Sequence, residues 1–243
     1  MPSYNNLQKL KQCVLSIKSQ VFDNYEVWII DGASSDGTQE YLKTLGTPFY
    51  YISEKDFGIY DAMNKGIEKS TGEWLYFLGA DDKFFDSYVL DSLSKFFLID
   101  SLDLIFGRVL YEFDGDYPFI YSKKKKVKEP SWNLTIWLRN PVHHQGTFFR
   151  RGLFESLNYD SRFDILADYH LNLKLYKEKV SVIIYDGFIA KCLSSGVSKK
   201  GFWKMYKEEA ILKTELSRKI LFVLFYGLSF LKYILAWNIR GKK

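Results

Sequence analysis

The stretch Gly72-Glu73-Trp74-Leu75-Tyr76-Phe77-Leu78-Gly79-Ala80-Asp81-Asp82 constrains this chain more than any other. Five consecutive apolar or aromatic residues, Trp74 to Leu78, predict a strand buried on both faces. Gly79 and Ala80 then thin the chain, which lets the backbone approach another group closely. Two adjacent carboxylates follow at the strand's C-terminal end, where open α/β sheets bind ligands. Side by side, two acids repel unless a cation lies near them. Hard divalent ions take carboxylate oxygens and commonly add phosphate oxygens. An Asp-Asp pair after a strand is also ordinary turn chemistry, so the flanking segments decide between the two readings.

Those segments alternate. Leu7, Leu10, Val14 and Ile17 are spaced for one face of a helix. Glu26–Ile30 predicts a strand that ends at Asp31-Gly32-Ala33-Ser34-Ser35-Asp36-Gly37-Thr38, where Ser35 or Asp36 is placed to cap the helix carrying Tyr41, Leu42 and Leu45. Phe49–Ser53 predicts a second strand. Ile59, Met63 and Ile67 then mark a helical face, with Asp61, Asn64 and Lys65 on or near the other. Strand, helix, strand, helix, strand is the pattern of a parallel sheet with crossover helices. Beyond the acid pair, Leu90, Leu93 and Phe97 predict a helix, and Leu102–Leu110 a strand interrupted at Gly107. Tyr111 to Lys128 reads as a hairpin turning at Asp114-Gly115-Asp116. The segment 141–151 holds two of the three histidines. Phe163–Leu171 opens a helix with Asp168 in its first turn, a favourable place for an anion. Val180–Tyr185 predicts a further strand, residues 194–198 a polar turn, and the remainder helix.

Composition narrows the class. In 243 residues, 47% hydrophobic side chains are enough to fill a sizeable core, which argues against disorder. Aromatics at 18% exceed what a core needs, so some belong at a surface or a lipid interface. The net charge of +5 sits largely in the run Lys123–Lys126 and the C-terminal tail. That run alone is too little for a nucleic-acid site, and no nucleic-acid partner is expected. Cys13 and Cys192 show neither metal spacing nor a disulfide framework, which fits a reducing compartment. The first residues lack the charged and apolar regions of a signal peptide.

Taken in order, Asp31 to Thr38, Asp56-Phe57-Gly58-Ile59-Tyr60-Asp61-Ala62-Met63-Asn64-Lys65-Gly66, Gly79-Ala80-Asp81-Asp82, His144-Gln145 and Asp168-Tyr169 resemble the successive motifs of family 2 glycosyltransferases with the GT-A fold, over roughly residues 2–200. The resemblance implies an α/β, Rossmann-like, mostly parallel sheet flanked by helices, with residues 1–200 as the catalytic domain and 201–243 as a helical appendage. It implies transfer of a sugar from a nucleotide-diphosphate sugar to a hydroxyl of a glycan or lipid-linked acceptor, with inversion, in cell-surface polysaccharide or glycolipid synthesis. By similarity, Asp31 contacts the base or ribose, Asp82 is the direct ligand of Mn²⁺ or Mg²⁺, Asp81 meets the ribose or donor sugar, and Asp168 is the general base. Ser34, Asp36, Asp61, Asn64, Lys65, His144 and Gln145 are further substrate-binding candidates. For several of them a plainer reading stands alongside: Asp36 as a helix cap, Asp61 and Asn64 as a solvated helix face, His143 and His144 as alternating strand residues, Arg150 and Arg151 as surface charges rather than phosphate ligands.

One departure from the family is visible. Its members place an apolar strand before a Pro-x-Tyr-Asn-like turn, but here Pro2-Ser3-Tyr4-Asn5 follows Met1 directly, so the first strand is expected to be missing. Two neighbouring strands would then carry unpaired backbone groups. This supports an alternative reading as a catalytically impaired nucleotide-sugar-binding or scaffold protein. A nucleotidyltransferase would need a Gly-rich loop with Arg near the N-terminus, or a P-loop for phosphoryl transfer, and the sequence has neither. Ile220–Trp237 is mostly apolar with basic flanks. It suits a helix in a membrane interface as well as a span, and a core-packing helix is the third possibility. The expectation is a cytoplasmic protein, peripheral on the inner face of the cell membrane.

Overall fold

The computed structural model describes residues 1–112, 126–194 and 202–240. Its first third alternates as the periodicity predicts: β1 (Pro2–Ser3), α1 (Leu7–Lys18), β2 (Val27–Asp31), α2 (Thr38–Leu42), β3 (Phe49–Ser53), α3 (Ile59–Lys69) and β4 (Trp74–Tyr76). The stripe of α1 buries Leu10, Cys13, Val14 and Ile17. β1, β2 and β3 pair in parallel, in register from Val27↔Phe49 to Asp31↔Ser53. The C-terminal ends of β2 and β3 therefore lie side by side, and the loops that follow them open on one edge.

After β4 come β5 (Lys83–Phe84), α4 (Val89–Phe97), β6 (Leu104–Glu112), β7 (Val127–Lys128), β8 (Thr147–Arg150), α5 (Ala167–Glu178), β9 (Val182–Leu193), α6 (Trp203–Leu216) and α7 (Phe222–Arg240). The parallel pattern does not continue, because crossover helices no longer separate each strand from its neighbour. β8 runs antiparallel to both β4 and β6, β5 antiparallel to β9, and only β6 and β9 pair in parallel. The interruption expected at Gly107 is a register shift between Phe106 and Arg108. β9 extends well past the expected end at Tyr185, since pairing with β6 carries it through Asp186-Gly187 as far as Leu193. The arms of the expected hairpin pair as β6 and β7; its turn at residues 114–116, and residues 195–198 of the expected polar turn, lie outside the described residues.

Side-chain alternation splits the core in two. Ile105 joins Leu78, Ile29 and the buried faces of α1 and α4. Leu104 and Phe106 join Leu75, Phe77, Tyr60, Phe149 and Tyr169. The stretch from Trp74 to Leu78 thus packs on both faces, as its continuous apolar character requires. The strand expected to be missing is a two-residue stub, β1, and the strands form a three-stranded and a six-stranded sheet instead of one. Packing continues past residue 200. Leu212 of α6 belongs to the second core, because α6 carries a buried stripe of its own.

Candidate active site

The acid pair sits in a tight reversal after β4. Asp82 N–H donates to the Gly79 carbonyl at 3.0 Å. A β-carbon on Gly79 would lie 2.6 Å from Asp82 Oδ2 and 3.1 Å from Asp81 Oδ1, so only glycine lets both carboxylates fold back over the chain. Asp82 is 4% exposed. Burial, and after it the neighbouring Asp81 charge, push its carboxyl up to about 6, while His144, Cys192 and Gln145 act the other way. A buried acid raised in this way lacks compensating positive charge, which is the electrostatic setting a divalent cation suits. Among the described residues no group of three or more His, Cys, Asp or Glu side chains forms a complete metal site. Asp82, with Asp81 beside it, would therefore hold such an ion only together with ligands brought by a substrate or water.

The short 3₁₀ turn His144–Gly146 leads into β8 and faces this corner. Gly146 packs directly on β6: a β-carbon there would meet the Gly107 carbonyl at 2.7 Å. Tyr76 of β4 fixes the turn from the other side, its hydroxyl donating to the Gln145 carbonyl at 2.8 Å. Gln145 Nε2 then donates to Asp82 Oδ2 at 2.6 Å. Gln145 Oε1 is buried with no hydrogen-bond partner. His144 stacks on His143 and places its Nδ1 3.8 Å from Asp168 Oδ2.

Asp168 lies in the first turn of α5, as its sequence position implies. Two residues that sequence reasoning did not select hold it. Asn140 Nδ2 donates to Asp168 Oδ2 at 3.1 Å. The Tyr60 hydroxyl lies 3.2 Å from Asp168 Oδ1 and 2.8 Å from the Ile165 carbonyl, close enough to give its one proton to either. Burial, then the Asp168 charge, raises the Tyr60 pKa well above its ordinary value, so this phenol stays a donor. The sequence signal for Tyr60 was its place in the motif Asp56–Gly66, beside Asp61 at the start of α3. His144 and Gln145 therefore link two carboxylates, Asp82 and Asp168, that stand 86 positions apart in the chain.

The remaining candidates are placed differently. Asp31 is fully buried, its carboxylate accepting from Ser34 N–H and Oγ and from Ser53 Oγ. Ser34 Oγ in turn accepts from Asn5 N–H at 2.7 Å. This pair ties three loops together at the open edge. Asp36 is a cap: it accepts from Thr38 on α2 and from Leu7 N–H at the start of α1. Both ends of the Asn64 amide bond the backbone of Tyr159, at 2.8 and 3.0 Å. Asp61 accepts from Phe57 N–H and pairs with Lys65, which also pairs with Glu54. Asp61 lines a cavity of about 260 Å³ with Gly58, Tyr60 and Phe163. Arg150 is structural: it binds Glu73 and the carbonyls of Ile99 and Leu102.

The pattern of glycosyl transferase family 2 matches residues 1–180, and the chain belongs to that family. A PGL/p-HBAD biosynthesis glycosyltransferase of Mycobacterium tuberculosis is 27% identical over 237 residues, 92% of this chain and 87% of that protein. An uncharacterized glycosyltransferase of the same species is 32% identical over 71% of this chain and 65% of that one. Among solved structures, S. aureus TarS in complex with UDP-GlcNAc superposes with a TM-score of 0.64 at 16% identity, covering 97% of this chain and 79% of that chain. The mannosyltransferase PcManGT from Pyrobaculum calidifontis, in complex with GDP-Man and Mn²⁺, gives 0.59 at 18% identity over 98% and 73%. The fold is that of the GT-A glycosyltransferases, and the chain is a glycosyltransferase by family.

Proposed function

We propose that this protein transfers a hexosyl or related sugar from a nucleotide-diphosphate sugar to an acceptor hydroxyl with inversion. The observation that carries the reading is the convergence of Asp82 and Asp168 on the His144–Gln145 turn. Asp168 is the general base. Asn140 donates to its carboxylate, the Tyr60 hydroxyl lies beside it, and it takes the proton of the attacking hydroxyl. Asp81 meets the ribose or donor sugar, and Asp82 is the direct ligand of Mn²⁺ or Mg²⁺. A bound divalent ion supplies neutralisation of the charge that develops on the diphosphate. Gln145 holds Asp82 through its amide nitrogen and keeps Oε1 for a donor hydroxyl. Asp31 and Ser34 shape the nucleotide loop from within, and Asp61 and Lys65 are further substrate-binding residues. The acceptor is a glycan or lipid-linked sugar of a cell-surface polysaccharide or glycolipid, and the protein works as a cytoplasmic, peripheral protein on the inner face of the membrane. Support for the last point is α7: Lys219–Asn238 is long and apolar enough to cross a bilayer, and only 11% of it is buried.

The alternative is a nucleotide-sugar-binding protein that holds a donor at the same site with impaired turnover. A panel of UDP-, GDP- and dTDP-sugars, screened for thermal shift with and without Mn²⁺ and then for release of nucleotide, separates the two. A Mn²⁺-dependent shift with turnover supports the transferase. A shift without turnover supports the binding protein, and no shift from any donor defeats both.

A further inference from the structure

Asn140 meets Asp168 only while the chain that carries it keeps its course, and residues 136–140 are bonded from several elements at once. From α5, the Tyr169 hydroxyl donates to the Ile136 carbonyl, and Asn172 Nδ2 donates to Asn140 Oδ1 at 3.1 Å. From β7, Lys128 Nζ donates to the Asn140 carbonyl at 2.8 Å. The Leu138 carbonyl accepts from Lys213 Nζ of α6 at 3.3 Å and from Lys232 Nζ of α7 at 2.6 Å. Both ammonium groups also meet Glu209 Oε1, each at 2.5 Å. Glu209 and Lys213 lie one turn apart on α6 and are 7% and 4% exposed. Lys213 stands over the Tyr169 ring, 5.6 Å from its centre. Burial pulls the Lys213 pKa down to about 8, while Glu209 acts the other way. A buried ion pair is a weak source of stability, since apolar side chains of similar volume often serve as well. What this pair supplies is direction: an ammonium group aimed at one carbonyl, two residues before Asn140.

We propose that Glu209 and Lys213 are positioning residues for the general base: they fix the chain at Leu138 and so hold Asn140 against Asp168. The proposal rests on the reading of Asp168 as that base. Glu209 sets the Lys213 ammonium group, and Lys213 sets the Leu138 carbonyl. Asn140 then presents Nδ2 to Asp168 Oδ2 and Oδ1 to Asn172. Lys232 adds a second donor to the same carbonyl, so loss of α7 leaves the α6 pair in place.

The test is Lys213→Met in the full chain, which keeps an apolar stem and leaves Glu209 paired with Lys232. It is compared with Lys213→Arg, Asn140→Ala and the double variant, using a donor that the wild type turns over. Lys213→Met is expected to lower kcat about tenfold with the donor KM changed less than about twofold. Lys213→Arg should restore most of that loss. In the Asn140→Ala background Lys213→Met should have little further effect, because both act through one contact. Equal kcat for the wild type and Lys213→Met overturns the proposal and leaves the base reading standing, and so does a full tenfold loss in the Asn140→Ala background. Full turnover by Asp168→Asn would sink the base reading instead. If the wild type turns over no donor, the Asn140 side-chain amide protons read the positioning by NMR. Shifted signals in Lys213→Met then support the hold on Asn140, and unshifted signals overturn it. Glu209→Gln carries the same expectations should Lys213→Met not fold.

Discussion

Asp168 is held by partners that no local pattern announces. Tyr60 is 108 positions away and Asn140 is 28; Asn140 donates to Oδ2, and the Tyr60 hydroxyl lies 3.2 Å from Oδ1. With the base flanked on both sides, Asp168→Asn should leave donor binding nearly intact and lower turnover by about 10²–10⁴-fold. Donor dissociation constants set against single-turnover rates check this; a collapse in donor affinity with a high residual rate would make Asp168 a binding residue. Asp82 gives a prediction in pH. Its carboxyl sits at about 6 in the folded chain and near 4 when unfolded. Between those values the folded state holds the proton more tightly. The contribution of Asp82 is therefore most favourable below pH 4 and falls as pH rises through 6, by about 2–3 kcal/mol at most. In EDTA, the melting temperature of the chain relative to Asp82→Asn should drop between pH 4.5 and 7, and Mn²⁺ at pH 7 should restore part of it only where Asp82 is present. A pH-independent difference between the two proteins would show that this carboxyl is not ionising in a buried site. The residues legible from sequence were those whose chemistry is local: an acid pair after a strand, an acid in a helix's first turn. Asp36 and Asn64 were ambiguous because a carboxylate or amide beside a helix can serve the backbone or a ligand equally well; in the structure both bond backbone groups distant in sequence.

At the scale of elements, the sequence placed the strands and helices of the first third closely, because each buries a periodic face. It did not show what α6 does. Glu208 of α6 is buried and accepts from the backbone N–H groups of Asp164, Ile165 and Leu166 at 3.2, 3.0 and 3.0 Å. These are donors of the turn that enters α5, so a carboxylate from a distant helix caps the helix bearing Asp168. That arrangement has no sequence signature, since cap and capped lie more than 40 positions apart. It also means that residues beyond 200 support the site geometry. Glu208→Gln keeps the size but loses the charge and one acceptor oxygen. It should cost about 1–3 kcal/mol of stability and lower kcat more than it raises the donor KM. Melting curves and steady-state kinetics on the folded fraction decide the point. A destabilised protein with unchanged kcat would reduce Glu208 to a structural cap.

At the scale of the whole molecule, α7 (Phe222–Arg240) joins packing to an exposed apolar face. The helix lies against α6, with the Trp203 ring packed on Tyr226, Phe230 and Tyr233. Lys232 reaches back to Glu209 and to the Leu138 carbonyl, pinning the helix along the catalytic module. Its other side is bare: Ile220 and Val223 are 84% and 80% exposed, and Leu231, Leu235 and Trp237 are exposed with them. Leu134 and Leu138 of the catalytic module are exposed as well. A helix pinned flat, with its apolar face outward, suits the plane of a bilayer interface better than a span. Arg218 and Lys219 precede the helix, and Arg240, Lys242 and Lys243 close the chain. Each basic residue near an anionic surface adds about 1 kcal/mol, a contribution that salt weakens, whereas apolar burial persists in salt. The full chain should therefore sediment with vesicles containing anionic lipid. High salt should release it only in part, and detergent should release it fully. Removing residues 219–243 keeps Glu208 and the rest of α6 in place, so the shortened protein should stay in the supernatant with its turnover on a soluble acceptor retained. A full-length protein that remains monomeric in solution beside anionic vesicles would place α7 as a lid on α6 and defeat the membrane reading.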